Sequence, residues 1–300
     1  TEFSLLDGAC RIKKLVERVK ELGQDAVAIT DHGCMYGVID FYRACKAEGI
    51  KPIIGCEVYV APRGRTRFQK VHEFDADSRH LVLLCRNEEG YRNLSYMVSQ
   101  AYLEGFYIKP RIDMDLLREH AGGLIACSAC LGGELPKLLL AGEYEQAKAV
   151  ALEMRELFGE DGYYLELQDH GLEEQRAISP QIVRLSRETG IPLVCTNDAH
   201  YLSKEDARMQ KVLICIQTNT TVDEPNPMAF ETEEFYLKPE EEMRVLYVAL
   251  TRPRERLYIT CRAQDPERLL EQTRIRAKEE ADAYRLLSST CLASWILDGA

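Results

Sequence analysis

Three hundred residues, 46% hydrophobic and 29% charged, describe a globular chain of one large domain or two modest ones and rule out disorder and fibrous structure. The formal charge of -11, from 38 Lys and Arg against 49 Asp and Glu, argues against a protein that grips nucleic acid over its whole surface, although a local basic strip stays compatible with it. No run approaches the roughly 18 apolar residues of a membrane helix, no basic stretch leads into an apolar one at the start, and the 11 cysteines are scattered, so a reducing cytoplasm and no membrane partner are expected.

In chain order, short apolar or β-branched runs at 26–30, 52–60, 80–85, 123–127, 163–167 and 191–196 read as six strands. Between and after them, 3.6-residue periodicity predicts helices at 12–22, 38–48, 90–101, 143–158, 172–189 and 204–216. This alternation is the pattern of strand-helix repeats around a parallel sheet, closed as a barrel or opened as a doubly wound layer. Helix breakers gather at 218–227, and an acidic stretch follows at 231–242. Beyond it the balance changes: residues 244–300 carry slightly more Lys and Arg than Asp and Glu. There, 244–259 reads as a buried strand with a basic turn and 265–288 as a charged helix. No internal repeat is present.

In either closed or open form, functional groups are expected just beyond the C-terminal ends of the strands. Most strands meet this: Asp31-His32-Gly33 follows the first, Glu57 lies in the second, His80 opens the third, and the fourth, fifth and sixth run into Cys127-Ser128-Ala129-Cys130, Asp169-His170 and Asp198-Ala199-His200. Mixed His, Asp, Glu and Cys suit zinc, manganese or iron, whereas magnesium favours oxygen alone. Asp198 and His200, two apart on an extended segment, would face the same way and could share one ion. An isolated Asp-x-His or Asp-His-Gly is more often a turn or a satisfied core residue; repetition at successive strand ends reverses that preference.

Several of these segments together closely resemble a known family. They are Thr1-Glu2-Phe3-Ser4-Leu5-Leu6-Asp7-Gly8-Ala9, Ile29-Thr30-Asp31-His32-Gly33, Pro52-Ile53-Ile54-Gly55-Cys56-Glu57, Tyr107-Ile108-Lys109-Pro110-Arg111-Ile112-Asp113, Ser128-Ala129-Cys130-Leu131-Gly132-Gly133, Leu165-Glu166-Leu167-Gln168-Asp169-His170 and Thr196-Asn197-Asp198-Ala199-His200-Tyr201-Leu202. Over residues 1–240 the chain resembles the PHP (polymerase and histidinol phosphatase) domain that opens the alpha subunit of bacterial DNA polymerase III. The resemblance implies an α/β fold, a distorted seven-stranded (β/α) barrel of PHP type lacking its first strand. It also implies up to three divalent ions (zinc, manganese or magnesium) held by nine ligands. Carried over by position, the metal ligands here are Asp7, His32, Glu57, His80, Cys130, Asp198 and His200. The two others form a His-x-His pair on a strand upstream of Thr1, so metal-dependent phosphoesterase chemistry of the 3′-5′ exonuclease type is expected to be impaired, and residues 1–240 alone metal-poor and poorly soluble. DNA, the replisome and the remainder of the DNA polymerase III alpha subunit are the implied partners. A non-catalytic scaffold within the polymerase and a free-standing phosphatase are the alternatives.

Residues 241–300 are expected to form a small α/β C-terminal segment. Leu246-Tyr247-Val248-Ala249-Leu250-Thr251-Arg252-Pro253-Arg254-Glu255-Arg256-Leu257-Tyr258-Ile259 resembles motif VI of superfamily 1 helicases, and 292–297 resembles the helicase-nucleases of bacterial recombination. That resemblance implies a contact from Arg252 to an ATP γ-phosphate if a helicase core completes it. The chain has no Gly-x-x-x-x-Gly-Lys-Ser/Thr loop, so helicase action by the chain alone is not expected. Three further features have plainer readings. Arg63, Arg65, Arg67 and Lys70 could touch a DNA backbone but more often form a solvated loop. Cys127 reads as a core thiol beside the ligand Cys130, and Asp113-x-Asp115 as helix-start chemistry.

Overall fold

The computed structural model describes residues 1–224, 226 and 229–251. In chain order these form α1 (Ile12–Glu21), β1 (Ala26–Ile29), α2 (Val38–Glu48), β2 (Lys51–Val60), α3 (His72–Asp75), β3 (Arg79–Cys85), α4 (Glu88–Leu103), β4 (Phe106–Tyr107), β5 (Lys109–Ile112), α5 (Met114–Glu119), β6 (Leu124–Cys127), α6 (Glu134–Leu140), α7 (Tyr144–Phe158), β7 (Tyr163–Leu167), α8 (Glu173–Thr189), β8 (Leu193–Cys195), α9 (Ala207–Thr218) and α10 (Glu240–Thr251). The helices form where periodicity and caps agree. Ile12, Leu15, Val16 and Val19 give α1 one buried stripe. Asn87 and Asp113 cap α4 and α5 by accepting from the amides of Gly90 and Leu116.

The sheet is mixed, which corrects the parallel arrangement read from the alternation. Its order is β4-β5-β2-β3-β6-β7-β8, with β1 alongside the first half of β2. β3 runs antiparallel to both β2 and β6, whereas β6, β7 and β8 are mutually parallel. α7 and α8 supply helical crossovers after β6 and β7, whereas β2 and β3 are joined by the connector 61–78, whose only helix is the one-turn α3. The hairpin β4–β5, hidden in the sequence by Pro110, extends the β2 edge.

Although β1 and β8 lie far apart in strand order, residues of both line one cavity of about 550 Å³. The sheet is therefore curled into an open half-barrel with helices on its outside. Most of the core lies between that sheet and α4, α7 and α8, with Leu83, Leu94, Met97, Leu165 and Leu185 fully enclosed. Thr1–Thr251 forms one compact unit. Among the described residues no helix is long and apolar enough to cross a membrane.

Residues 244–251 are helical, not the strand expected from 244. Glu240, Glu241 and Glu242 occupy the first turn of α10, where the helix dipole favours negative charge, and Arg244 pairs with Glu240 one turn away. Leu250 at the far end packs on the core. The helix expected at 265–288 lies outside the described residues.

The connector from 61 to 78 brings the chain to His80 and is anchored by a buried arginine. The Arg111 guanidinium, wholly enclosed, donates to the carbonyls of Gln69 (2.7 Å), Asp75 (3.1 Å), Arg67 and Gly105 (both 3.3 Å). Asp75 in turn accepts from Arg65 (2.8 and 2.6 Å) and from the Val71 amide. Arg63 pairs with Glu134 and Glu153, and Arg67 with Glu104 and Asp113. All three arginines are thus committed to carboxylates and form no open basic strip. Arg111→Met strands several buried carbonyls, and we expect it to lower stability by on the order of 2–4 kcal/mol, read from urea unfolding; an unchanged midpoint would show that the connector does not need the clamp.

Candidate metal centre

Six of the seven residues singled out from the sequence converge on one rim of the half-barrel. Asp7 comes from the N-terminal loop, His32 from the turn after β1, Glu57 from within β2, His80 from the start of β3, Cys130 from the loop after β6 and His200 from the loop after β8. They form two triads, Asp7/His32/His200 and Glu57/His80/Cys130, in each of which every donor atom lies within 4.8 Å of the others. The triads meet at His32, whose Nε2 is 2.9 Å from Asp7 Oδ2 and whose Nδ1 is 2.9 Å from Glu57 Oε1. The same Glu57 oxygen is 2.8 Å from His80 Nδ1, and Cys130 Sγ is 3.5 Å from that nitrogen. His200 Nε2 lies 3.7 Å from Asp7 Oδ2.

Asp198 stands beside these triads, its carboxylate 3.8 Å from His200 Nδ1. The extended geometry read from Asp198-x-His200 is absent. Asp198 has a left-handed backbone (φ 45°), and its carbonyl, not its side chain, makes the shorter approach to His200 Nδ1, at 2.9 Å. Leu6 (φ 62°) and Ala129 (φ 64°) are left-handed too, immediately before Asp7 and Cys130. Residues with side chains seldom adopt that region, so three of the loops that present donors are held in backbone shapes that cost energy.

Electrostatics binds the cluster together. Burial pushes the Asp7 carboxyl up, but hydrogen bonds and attraction from His200 and His32 more than reverse it and hold it far below the usual carboxylate range. Glu57, fully enclosed, is likewise driven down against its desolvation by His32 and His80. Burial lowers His32, yet the Glu57 charge and the Asp7 hydrogen bond carry it well above an ordinary imidazole. His200 rises against its desolvation through Asp198 and Asp7. Burial, then Glu57 and Asp198, keep Cys130 a thiol. Without a cation the carboxylates are thus neutralised by protons on imidazoles, and this borderline donor set of imidazole, carboxylate and sulfur fits a divalent transition ion that would displace them.

The surroundings fix the loops. His170 stacks on Phe235 at 4.0 Å and accepts from Gln175 at Nδ1, which leaves Nε2–H to donate to the Asn197 carbonyl (2.8 Å) beside Asp198. Asn197 itself ties to the backbone of Tyr236 and Lys238. Cys127 is buried without joining either triad. Arg252 lies outside the described residues.

The sequence reading passed over Glu166. This carboxylate on β7 accepts from the Ala129 amide and from Thr196 Oγ1 (2.7 Å), while its amide donates to Ser128 Oγ (2.8 Å). It therefore joins the strand ends that carry Cys130 and Asp198. The signal available was a glutamate between two buried leucines in Tyr163-Tyr164-Leu165-Glu166-Leu167. Burial, opposed by Thr196 and Ala129, pushes its carboxyl up to about 7. A carboxyl raised on folding gives its full stability below its unfolded pKa of 4.5 and loses it as pH climbs to about 7. With a chelator present, the wild-type chain should lose up to about 3 kcal/mol of stability across that window, and Glu166→Gln should flatten the profile. Parallel denaturation curves at several pH values for the two proteins would show otherwise if Glu166 titrates normally.

Residues 1–170 match the PHP domain family. The DNA polymerase III alpha subunit of Treponema pallidum is 49% identical over 247 residues, 82% of this chain and 21% of that protein. Its counterpart from Thermus aquaticus is 46% identical over 248 residues, 82% of this chain and 20% of that protein. The chain thus spans about a fifth of the length of these relatives. Among solved structures, a putative metal-dependent phosphoesterase from Bifidobacterium adolescentis aligns over 83% of this chain and 93% of its own at 12% identity, with a TM-score of 0.39. An amidohydrolase from Chromobacterium violaceum aligns over 65% and 84% at 16% identity, with a TM-score of 0.36.

Proposed function

The chain belongs to the PHP domain family, and from that membership we propose that its two joined triads form a divalent-metal centre for phosphoester hydrolysis at the end of a DNA strand, within the alpha subunit of a replicative polymerase. The observation that carries the reading is the convergence of Asp7, His32, Glu57, His80, Cys130 and His200 from six separate segments onto one rim. Side chains that pack for stability alone have no reason to gather three imidazoles, two carboxylates and a thiol on one rim, with one Glu57 oxygen shared by two of the imidazoles. The similarity to polymerase alpha subunits supports DNA as substrate, and the remainder of such a polymerase with its replisome as partners.

In this reading Asp7, His32 and His200 hold one cation, Glu57, His80 and Cys130 a second, and Asp198 completes the shell beside His200. Bound there, divalent ions supply Lewis acidity toward a phosphoryl oxygen and lower the pKa of water from about 15.7 toward ~7. The protein's own part is to orient and to relay charge. Glu57 holds both His32 and His80 by their Nδ1 atoms, leaving His80 Nε2 free of that bond, and Glu166 and His170 keep the Cys130 and Asp198 loops in place.

The cavity between β1 and β8 favours a second, weaker state of the site. Each of these strands pairs with one neighbour only among the described strands, and the space between them reaches His32, Glu57 and Cys130. On the donors that the two triads and Asp198 bring together, we infer a centre that holds fewer than three ions and turns over slowly, or serves as a scaffold.

Two measurements test this. Elemental analysis of the chain loaded with manganese or zinc should find bound metal at less than three ions per chain, and His200→Ala should lose part of it; three ions per chain would overturn the inferred impairment. A 5′-labelled single strand should be shortened slowly in the presence of the metal, with at least about a tenfold loss in His200→Ala. Metal binding without any DNA cleavage would favour the scaffold.

A further inference from the structure

From the metal centre a run of aromatic rings leads outward. Tyr59, enclosed behind the rim, meets His80 edge-on with ring centroids 5.2 Å apart, and Lys109 Nζ sits 5.3 Å from the centre of the same tyrosine ring. Lys109 belongs to the β4–β5 hairpin, which also presents Phe106. Beyond them the rings are open to solvent: Tyr36 is 66% exposed, Phe106 48% and Tyr102 38%. Tyr102 lies 6.2 Å from Tyr36 and 6.1 Å from Phe106, centroid to centroid, with tilted planes. The β4–β5 hairpin that presents Phe106 turns at Ile108, a β-branched residue in the left-handed region (φ 62°) and itself exposed.

Three neighbouring solvent-facing rings are costly to leave uncovered. Aromatic rings also enrich protein interfaces, so the setting decides between candidate occupants. Rings beside an uncommitted lysine, next to a phosphoesterase-type donor cluster, match single-stranded nucleic acid, whose bases stack on any aromatic face while lysine meets the phosphates. Lys109 has no carboxylate within ion-pair distance among the described residues, so its charge remains available, unlike those of Arg63, Arg65 and Arg67. Lys109 also joins the lane to the triads through Tyr59 and His80, which places a stacked strand end next to the donors.

We propose that Tyr36, Tyr102 and Phe106, with Lys109, form a base-stacking lane that holds the terminal nucleotides of a single DNA strand and leads its phosphoester to the metal centre. This deepens the phosphoesterase reading and rests on it for the identity of the strand. The lane reads no sequence, because stacking and a single phosphate contact distinguish no base from another.

The test is binding of a short fluorescein-labelled oligothymidylate to the whole 300-residue chain by fluorescence anisotropy, in chelator and at low salt so that cleavage does not intervene. Tyr36→Ala, Tyr102→Ala and Phe106→Ala should each weaken binding about fivefold to hundredfold, the range of one lost stack. Tyr102→Phe should bind as the wild type does, and Lys109→Ala should reduce the salt dependence by about one phosphate contact. Phe68→Ala, an exposed ring on the 61–78 connector, serves as the control and should change nothing. Equal affinity across wild type and alanine variants, or no binding by the wild type, overturns the lane and leaves the rings as a protein-facing surface. Tyr36→Ala keeps the result readable if truncating the less exposed Tyr102 disturbs the fold. Metal content of preparations loaded with manganese or zinc separates the two readings: metal retained without dependence of DNA binding on the rings removes the lane alone, and metal absent from all of them removes the phosphoesterase reading.

Discussion

One oxygen of Glu57 accepts from two imidazoles, those of His32 and His80, at 2.9 and 2.8 Å. The carboxylate is buried, so its charge is stable only while cations or imidazolium protons surround it. His32 carries the same demand onward to Asp7, and Asp7 to His200. The rim is thus a chain of alternating donors and acceptors, in which Glu57 and Asp7 favour the protonated His32 while His200 and His32 favour the ionised Asp7. A divalent ion held by these residues would replace the shared protons with a fixed charge, which would couple metal binding to proton release and to local stability.

Holding that chain together is expensive for the backbone. Leu6, Ala129 and Asp198 occupy left-handed conformations at three of the loops that present the donors, and none is glycine. Glu166 and His170 oppose the strain from beneath. The first bonds the Ala129 amide and Thr196, and the second fixes the Asn197 carbonyl while stacked on Phe235. These residues touch no substrate; they act by limiting the positions that Cys130 and Asp198 can take, the usual office of groups behind a metal shell.

The reversal of β3 serves the same end. A parallel strand in that place would bring its opposite end to the rim, and His80 opens β3 beside Tyr59 of β2 only because the two run antiparallel. The 61–78 connector that allows it has almost no helix and depends on Arg111 for its shape. The curl of the sheet, in turn, leaves β1 and β8 facing one cavity that reaches into the centre.

Alternating apolar runs and amphipathic segments were enough to place all six principal strands, because buried strands of β-branched residues and one-sided helices leave period and composition in the sequence. His32, Glu57, His80, Cys130 and His200 were also legible as strand-end chemistry, since metal donors are rare residue types in such places. Strand direction was not legible, nor was the hairpin at Pro110, because both depend on which distant edge receives the chain. The apolar run from 244, which suggests a strand, continues the helix Glu240–Thr251 because the glutamates before it form a first turn that favours the helix dipole. Glu166 looked like one more strand residue, and Asp198 like half of an extended pair; only the folded chain shows the first tying three strand ends and the second turned left-handed. Local periodicity is written along the chain, whereas the pairing of charges is a property of neighbours that only tertiary folding brings together.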